Sequence, residues 1–171
     1  LSASLWVGLL LAQAACGYHP LYGQSQTLAV SVAAGQVLVP NTNAVQAALG
    51  GARAELAAAG RLASASAFPR LTVDVLRVDE VSRAIHVQAG QPSAAGMGVA
   101  VVVRARLQES AEQEPTLDTG DVRRAVQISG DADPRVDGAV YDQALRAAAE
   151  RAGRAAARIA LGVPEPSDEA P

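Results

Sequence analysis

Few residues in this chain are of types that do chemistry: one cysteine, Cys16, two histidines, His19 and His86, and fourteen arginines with no lysine among them. A single thiol excludes an intrachain disulfide, and one thiol with two imidazoles is too few for a Cys/His metal cluster. His86 has no other His, Cys or carboxylate cluster near it in sequence, so a structural histidine is expected there. No Ser, His and Asp set, glycine-rich phosphate loop or paired carboxylate motif stands out, and the chain is expected to be neither an enzyme nor a cofactor carrier. What remains is arginine. Arg104 and Arg106 are two apart in an apolar-alternating run, which on a strand sets two guanidiniums in a row about 7 Å apart. Planar, bidentate donors at that spacing suit phosphate. The competing reading is a pair of solvated strand positions, each matched to an Asp or Glu. Arg151, Arg154 and Arg158 share one face of the last helical stretch, with Glu150 one turn before Arg154, and read as a solvated face with an ordinary ion pair ahead of a partner surface.

Cys16 has a second chemistry. Leu5-Trp6-Val7-Gly8-Leu9-Leu10-Leu11-Ala12 is an uncharged apolar run leading to Gln13-Ala14-Ala15-Cys16. About 11 apolar residues fall well short of the roughly 20 that a spanning helix needs, whereas they suit the hydrophobic region of an export signal. A signal ordinarily opens with Met and a basic segment, neither of which precedes the run, so the true start is expected upstream of Leu1. The small residues before Cys16 and Gly17 resemble the lipobox of bacterial lipoproteins, in which the thiol is diacylated and the cysteine becomes the new N-terminus; Gln13 stands where such motifs usually have Leu. The other readings are an ordinary secretory signal that leaves Cys16 a free thiol, or a short apolar core helix.

The elements that must position these residues follow from periodicity. Leu28, Val30, Val32, Val37 and Val39 alternate as a first strand, bulged near Ala34-Gly35 and stopped by Pro40. Asn41, Thr42 and Asn43 offer N-caps to a helix over about 44–59, closed by Gly60. Leu71, Val73 and Val75 alternate until the apolar phase shifts to Leu76 and Val78, which requires a bulge or a strand covered on both faces. Residues 88–98 read as a long hairpin loop, long enough to be a working loop. Val99, Val101, Val103, Ala105 and Leu107 form the core face of the next strand. After an acidic loop around 109–115, residues 119–128 make a fourth strand whose faces Arg124 blurs. Residues 131–138 read as turn, and Tyr141, Leu145, Ala148, Ala152, Ala155 and Ile159 mark a long final helix.

The fold class is therefore α+β: a two-layer sandwich in the order β-α-β-β-β-α, with two helices packed on one face of a four-stranded mixed sheet. The opposite face is left for a partner. Residues 1–15 are assigned as the signal, 16–27 as a tether, 28–162 as the folded domain and 163–171 as a disordered tail. Half of the residues are hydrophobic but only 3% are aromatic, so the core must be Ala, Val and Leu, with Phe68 and Tyr141 its expected large members. Net charge is -3, which Glu165, Asp168 and Glu169 account for, and no basic field for nucleic acid is present.

With these elements in place, the chain resembles the LptE family, the outer-membrane lipoproteins of lipopolysaccharide assembly. The resemblance rests on Cys16-Gly17-Tyr18-His19-Pro20-Leu21-Tyr22-Gly23, similar to the Cys-Gly-Tyr/Phe-x-Pro-Leu-Tyr-Gly opening of many members, and on the element order. It implies a lipid anchor (palmitate among its acyl chains) at Cys16 and a location on the periplasmic face of the outer membrane. It further implies a β-barrel translocon subunit and lipopolysaccharide as partners, the chain acting as plug and assembly partner in a Gram-negative envelope. Under it, Arg104 and Arg106 become candidates for lipid A phosphate, and Tyr18, Pro20 and Tyr22 either a docking segment for the barrel or a stiff tether. A lipoprotein that activates a peptidoglycan synthase is the alternative from another class. Such regulators usually carry a long linker, whereas about ten residues separate Cys16 from the first strand, at most roughly 35 Å extended.

If Cys16 is acylated, the mature protein begins at Cys16 and carries the mass of a diacylglycerol with any further acyl chain. Intact mass spectrometry of membrane-extracted protein reads this directly, and Cys16→Ser moves the chain from the membrane to the soluble fraction.

Overall fold

The computed structural model describes residues 28–39, 41–63, 67–82, 85–88, 91–94, 97–128 and 134–163. The signal and tether assignments, with Cys16, Tyr18, Pro20 and Tyr22, lie outside the described residues, as does the tail beyond Val163. Val163, given to the tail from sequence, is itself buried and donates its N–H to the Arg158 carbonyl.

The strands are β1 (Ser31–Val37), β2 (Arg70–Ser82), β3 (Ile85–Gln88), β4 (Gln91–Ala94), β5 (Met97–Gln108), β6 (Leu117–Asp118) and β7 (Val122–Ile128), with helices α1 (Thr42–Ala58) after β1 and α2 (Pro134–Ala160) after β7. β1 runs parallel to β2, and β2 pairs antiparallel with β5. β6 and β7 lie in line along the far side of β5. The sheet is thus four strands wide and mixed, with both helices on one face, as the β-α-β-β-β-α order predicts.

The bulge expected in β1 is present, and of the two readings of the phase shift at Leu76 the bulge is the one observed. Register slips between Ala34 and Val37 in β1 and between Val75 and Arg77 in β2. The second slip returns Val78 to the core face opposite Val101, which explains the phase change at Leu76. Two expectations need correction. The stretch 88–98 is not one long loop: β3 and β4 pair from Ile85↔Ala94 to Gln88↔Gln91 as a two-stranded sheet of their own between β2 and β5 in the chain. Low hydropathy there hid the backbone pairing from a reading based on apolar periodicity. Residues 134–138, read as turn, are the first turns of α2, because a proline is well suited to the first helical position.

The core is built from small residues packed closely. Val99, Val101, Val103 and Ala105 of β5 and Leu71, Val73 and Val75 of β2 are almost fully buried beneath the helices. Each valine or leucine stabilises by about 1.5–3 kcal/mol. The largest fully buried side chains are Leu56, Leu71 and Leu145, whereas Tyr141 is only half-buried against the core. Phe68 is not a core residue; its ring lies under the Arg70 guanidinium, 4.4 Å from the Cζ. The helices compensate for the missing aromatic bulk by touching backbone to backbone. A Cβ on Gly51 would collide with the Glu150 carbonyl, and one on Gly153 with that of Ala48. About one turn further along each helix, Arg158 Nε donates to Glu55 Oε1 at 2.7 Å, so the two helices run in the same direction. Glu55 is only 6% exposed, and this contact removes Arg158 from the solvated face expected for it, while Arg154 pairs with Glu150 at 2.6 Å as expected.

Gly51→Ala or Gly153→Ala should lower unfolding free energy by about 1–3 kcal/mol, because neither helix backbone can move away cheaply. Gly50→Ala, next door on α1 with nothing within 4 Å of the new methyl, should instead raise it by up to about 1 kcal/mol through helix propensity. Urea unfolding of the three variants reads both signs.

Candidate functional site on the open sheet face

The face of the sheet away from the helices takes the alternate residues of β2, β5 and β7. Along β5 these are Ala100, Val102, Arg104 and Arg106, as the period of two requires. Ala100 and Val102 are fully buried although no helix covers them. Their cross-strand neighbours explain this: Val102 lies between Arg77 and Arg123, and Ala100 between Asp79 and Ala125. The long arginine stems flank the small central residues while their charged ends remain exposed.

Every arginine of this face that the structure describes on β5, and each beside Val102, has a carboxylate. Arg104 makes a two-point contact with Asp118, Nε to Oδ1 at 2.7 Å and Nη2 to Oδ2 at 2.5 Å. Arg106 Nη2 donates to Asp74 Oδ2 at 2.6 Å. Asp79 Oδ2 accepts from Arg77 at 3.2 Å and sits 3.9 Å from Arg123. The two residues singled out for phosphate are therefore adjacent on one face, and the competing reading of them as ion-paired strand positions describes their present contacts. Four arginines against three aspartates leave this group one positive charge in excess.

The two pairs are physically different. Asp74 is 2% exposed, and its other oxygen accepts the Gln36 N–H at 2.6 Å. It is held where β1 bulges, and a Cβ on Gly35 would strike that carboxylate. Only a glycine lets β1 pass so close. Asp118 is more than a third exposed and turns its chain into β7: Oδ1 also accepts the Gly120 N–H at 2.9 Å, and Thr119 Oγ1 accepts the Ala105 N–H. The Arg104 contact and the Gly120 N–H hold the Asp118 carboxyl down to about 2, and Asp118 pushes the Arg104 guanidinium up.

Chemically, this is a charge-matched grid in which any anion would have to displace a carboxylate to reach a guanidinium. An incoming phosphate competes with Asp118 for Arg104 in solvent, where such pairs are weak. To take Arg106 it must strip a buried carboxylate of its one ion-pair partner among the described residues. Arg104 is the available donor of the two, and Arg106 secures Asp74 and the β1 bulge. Asp74 had no signal in sequence, since it reads as one polar residue in an alternating strand. Asp118 had one, the Asp-x-Gly spacing to Gly120 that marks a side-chain-capped turn. His86 lies on β3 in register with Ser93. Among the described residues no group of three His, Cys, Asp or Glu is placed to hold a metal, and no helix is long and apolar enough to cross a membrane.

No protein-family model and no curated protein matches this chain. Solved structures share its architecture at low identity. A candidate lipoprotein of Caulobacter crescentus is 16% identical with a TM-score of 0.47, over 77% of this chain and 84% of that one. A protein of Xanthomonas campestris is 16% identical with a TM-score of 0.49, over 84% and 90%. The rare lipoprotein B of Shewanella oneidensis is 10% identical with a TM-score of 0.41, over 78% and 96%. With each of these scores below 0.5, function has to be read from this chain's own residues.

Two outcomes follow from the grid. Arg106→Ala should cost about 3 kcal/mol by orphaning the buried Asp74 carboxylate, whereas Arg104→Ala should cost much less; urea unfolding at neutral pH ranks them. Because Asp118 titrates below its ordinary value of 3.8, its ion pair is fully present above that value and is lost as the pH falls through about 2. Asp118→Asn should flatten that part of the acid stability profile, read as thermal midpoints between those two pH values.

Proposed function

We propose that this chain is an envelope lipoprotein of the LptE type, anchored through Cys16 at the periplasmic face of the outer membrane. It acts there as plug and assembly partner of the β-barrel that delivers lipopolysaccharide, and contacts that glycolipid without catalysing a reaction. The observation that carries this reading is the octet from Cys16 to Gly23, which places cysteine, small, aromatic, proline, leucine and aromatic residues in that order after an apolar run. The short tether supports it, because a reach of roughly 35 Å restricts partners to those at the same membrane. The open face is compatible in chemistry: Arg104 holds its carboxylate in solvent, so a lipid A phosphate exchanges for Asp118 without disturbing the buried Asp74. Arg106 then serves as a positioning residue, keeping the strand register that presents Arg104.

The test is affinity purification of the full-length, membrane-extracted protein from its native host, followed by mass spectrometry. A stoichiometric outer-membrane β-barrel is expected, and Arg104→Ala should retain the barrel while weakening lipopolysaccharide retention. Recovery of a cell-wall synthase instead would overturn the proposal in favour of a regulator.

A further inference from the structure

We propose that the end of the domain formed by Leu28, Arg61, Leu62 and Arg70 rests on the bilayer surface, the leucines among the headgroups and the guanidiniums on lipid phosphate. This rests on the lipoprotein reading above and adds an orientation to it.

Four observations meet at this end. First, the chain leaves toward Cys16 from Leu28, twelve residues on from the anchor, so this end is tied nearest to the membrane. Second, Leu28 and Leu62 are 62% and 41% exposed. Both belong to segments joined at this end, because Val30, two residues on from Leu28, forms a parallel bridge with Leu62, its N–H donating to the Arg61 carbonyl and Ala63 N–H to that of Val30. Third, the charges here differ from those of the open face. The side chains of Arg61 and Arg70 have no hydrogen-bond or ion-pair partner among the described residues, and each has a buried Nε without an acceptor, whereas Arg77, Arg104, Arg106 and Arg123 all have carboxylates. Arg70 instead stacks on Phe68, which leaves its outer donors for an acceptor from outside the chain. Fourth, exposed leucines beside arginines that lack partners are the combination an interfacial surface uses: apolar groups enter the headgroup layer while guanidiniums bind phosphate at its level.

The acidic residues Glu109, Glu112 and Glu114 leave the same end from β5, two strands away from β1. Anionic lipid repels that corner and favours the β1 corner, so the domain stands tilted. The opposite end, where Met97 pairs with Ser82, lies roughly 40 Å away along β2 and points into the periplasm.

The test uses the acylated full chain in vesicles of phosphatidylethanolamine and phosphatidylglycerol. Once Cys16 is acylated, a cysteine introduced by Leu62→Cys or Met97→Cys takes an environment-sensitive fluorophore at that one position. The label at 62 should show blue-shifted emission that is lost with brominated lipid, and the label at 97 should show neither. Arg61→Ser with Arg70→Ser should return the label at 62 toward its aqueous emission, with circular dichroism unchanged. An acylated protein whose label at 62 stays aqueous, or is shielded by a co-purified protein but not quenched by lipid, overturns this inference and leaves the anchor standing. A Cys16 that carries no acyl group in the intact mass overturns the anchor itself, and this inference with it.

Discussion

The contact of α1 with α2 at Gly51 and Gly153 is the constraint on which the rest of the architecture depends. A chain with almost no aromatic residues cannot fill a two-layer core by side-chain bulk, so it closes the gap by bringing backbones together. Ala48 and Glu150 carbonyls occupy the space a Cβ would need. That proximity lets alanine stripes on both helices cover the valines of β2 and β5. The Glu55–Arg158 pair fixes the helices' direction further along, and being largely buried it favours one alignment over others at little net gain in stability.

On the other side of the sheet, polar contacts replace packing. Where none of the described helices covers it, the central strand is flanked by arginine stems from its neighbours, and the guanidiniums of Arg77, Arg104, Arg106 and Arg123 each meet an aspartate. Asp74 connects the two halves of this arrangement: one oxygen holds the bulge of β1, the other holds Arg106 on β5. The open face is therefore ordered enough to present Arg104 at a set position, and hydrated enough for Arg104 to change partners. The domain thus carries ion-paired arginines at one face, and at one end exposed leucines beside arginines without a carboxylate partner among the described residues.

Much of the fold was legible because each signal was local. Alternation fixed the faces of β5, the apolar phase change at Leu76 located a bulge, and Asn41 capped α1, its side chain accepting the Ala44 N–H at 3.1 Å. The pairing of β3 with β4 was not legible: Ile85 and Val87 alternate in β3, but Gln91-Pro92-Ser93-Ala94 has no apolar alternation to distinguish strand from loop. The first turns of α2 were missed for a related reason: Pro134 and Gly138 signal a break in sequence, yet proline at a helix start is no break at all.

What the sequence by itself determined are properties carried by single residues and their spacing: the α+β element order, the adjacency of Arg104 and Arg106 on one strand face, the poverty of metal and nucleophile chemistry, and the octet after the apolar run. What only the tertiary structure decided are properties carried by pairs far apart in the chain. Asp74 meets Arg106 across 32 residues and Glu55 meets Arg158 across 103; no local pattern encodes such contacts, because register and helix packing choose the partner. The same holds for the glycines, whose role at the helix crossing depends on a backbone that approaches from elsewhere, and for the end of the domain where Leu28, Leu62, Arg61 and Arg70 come together only when β1 and the chain after α1 are bridged.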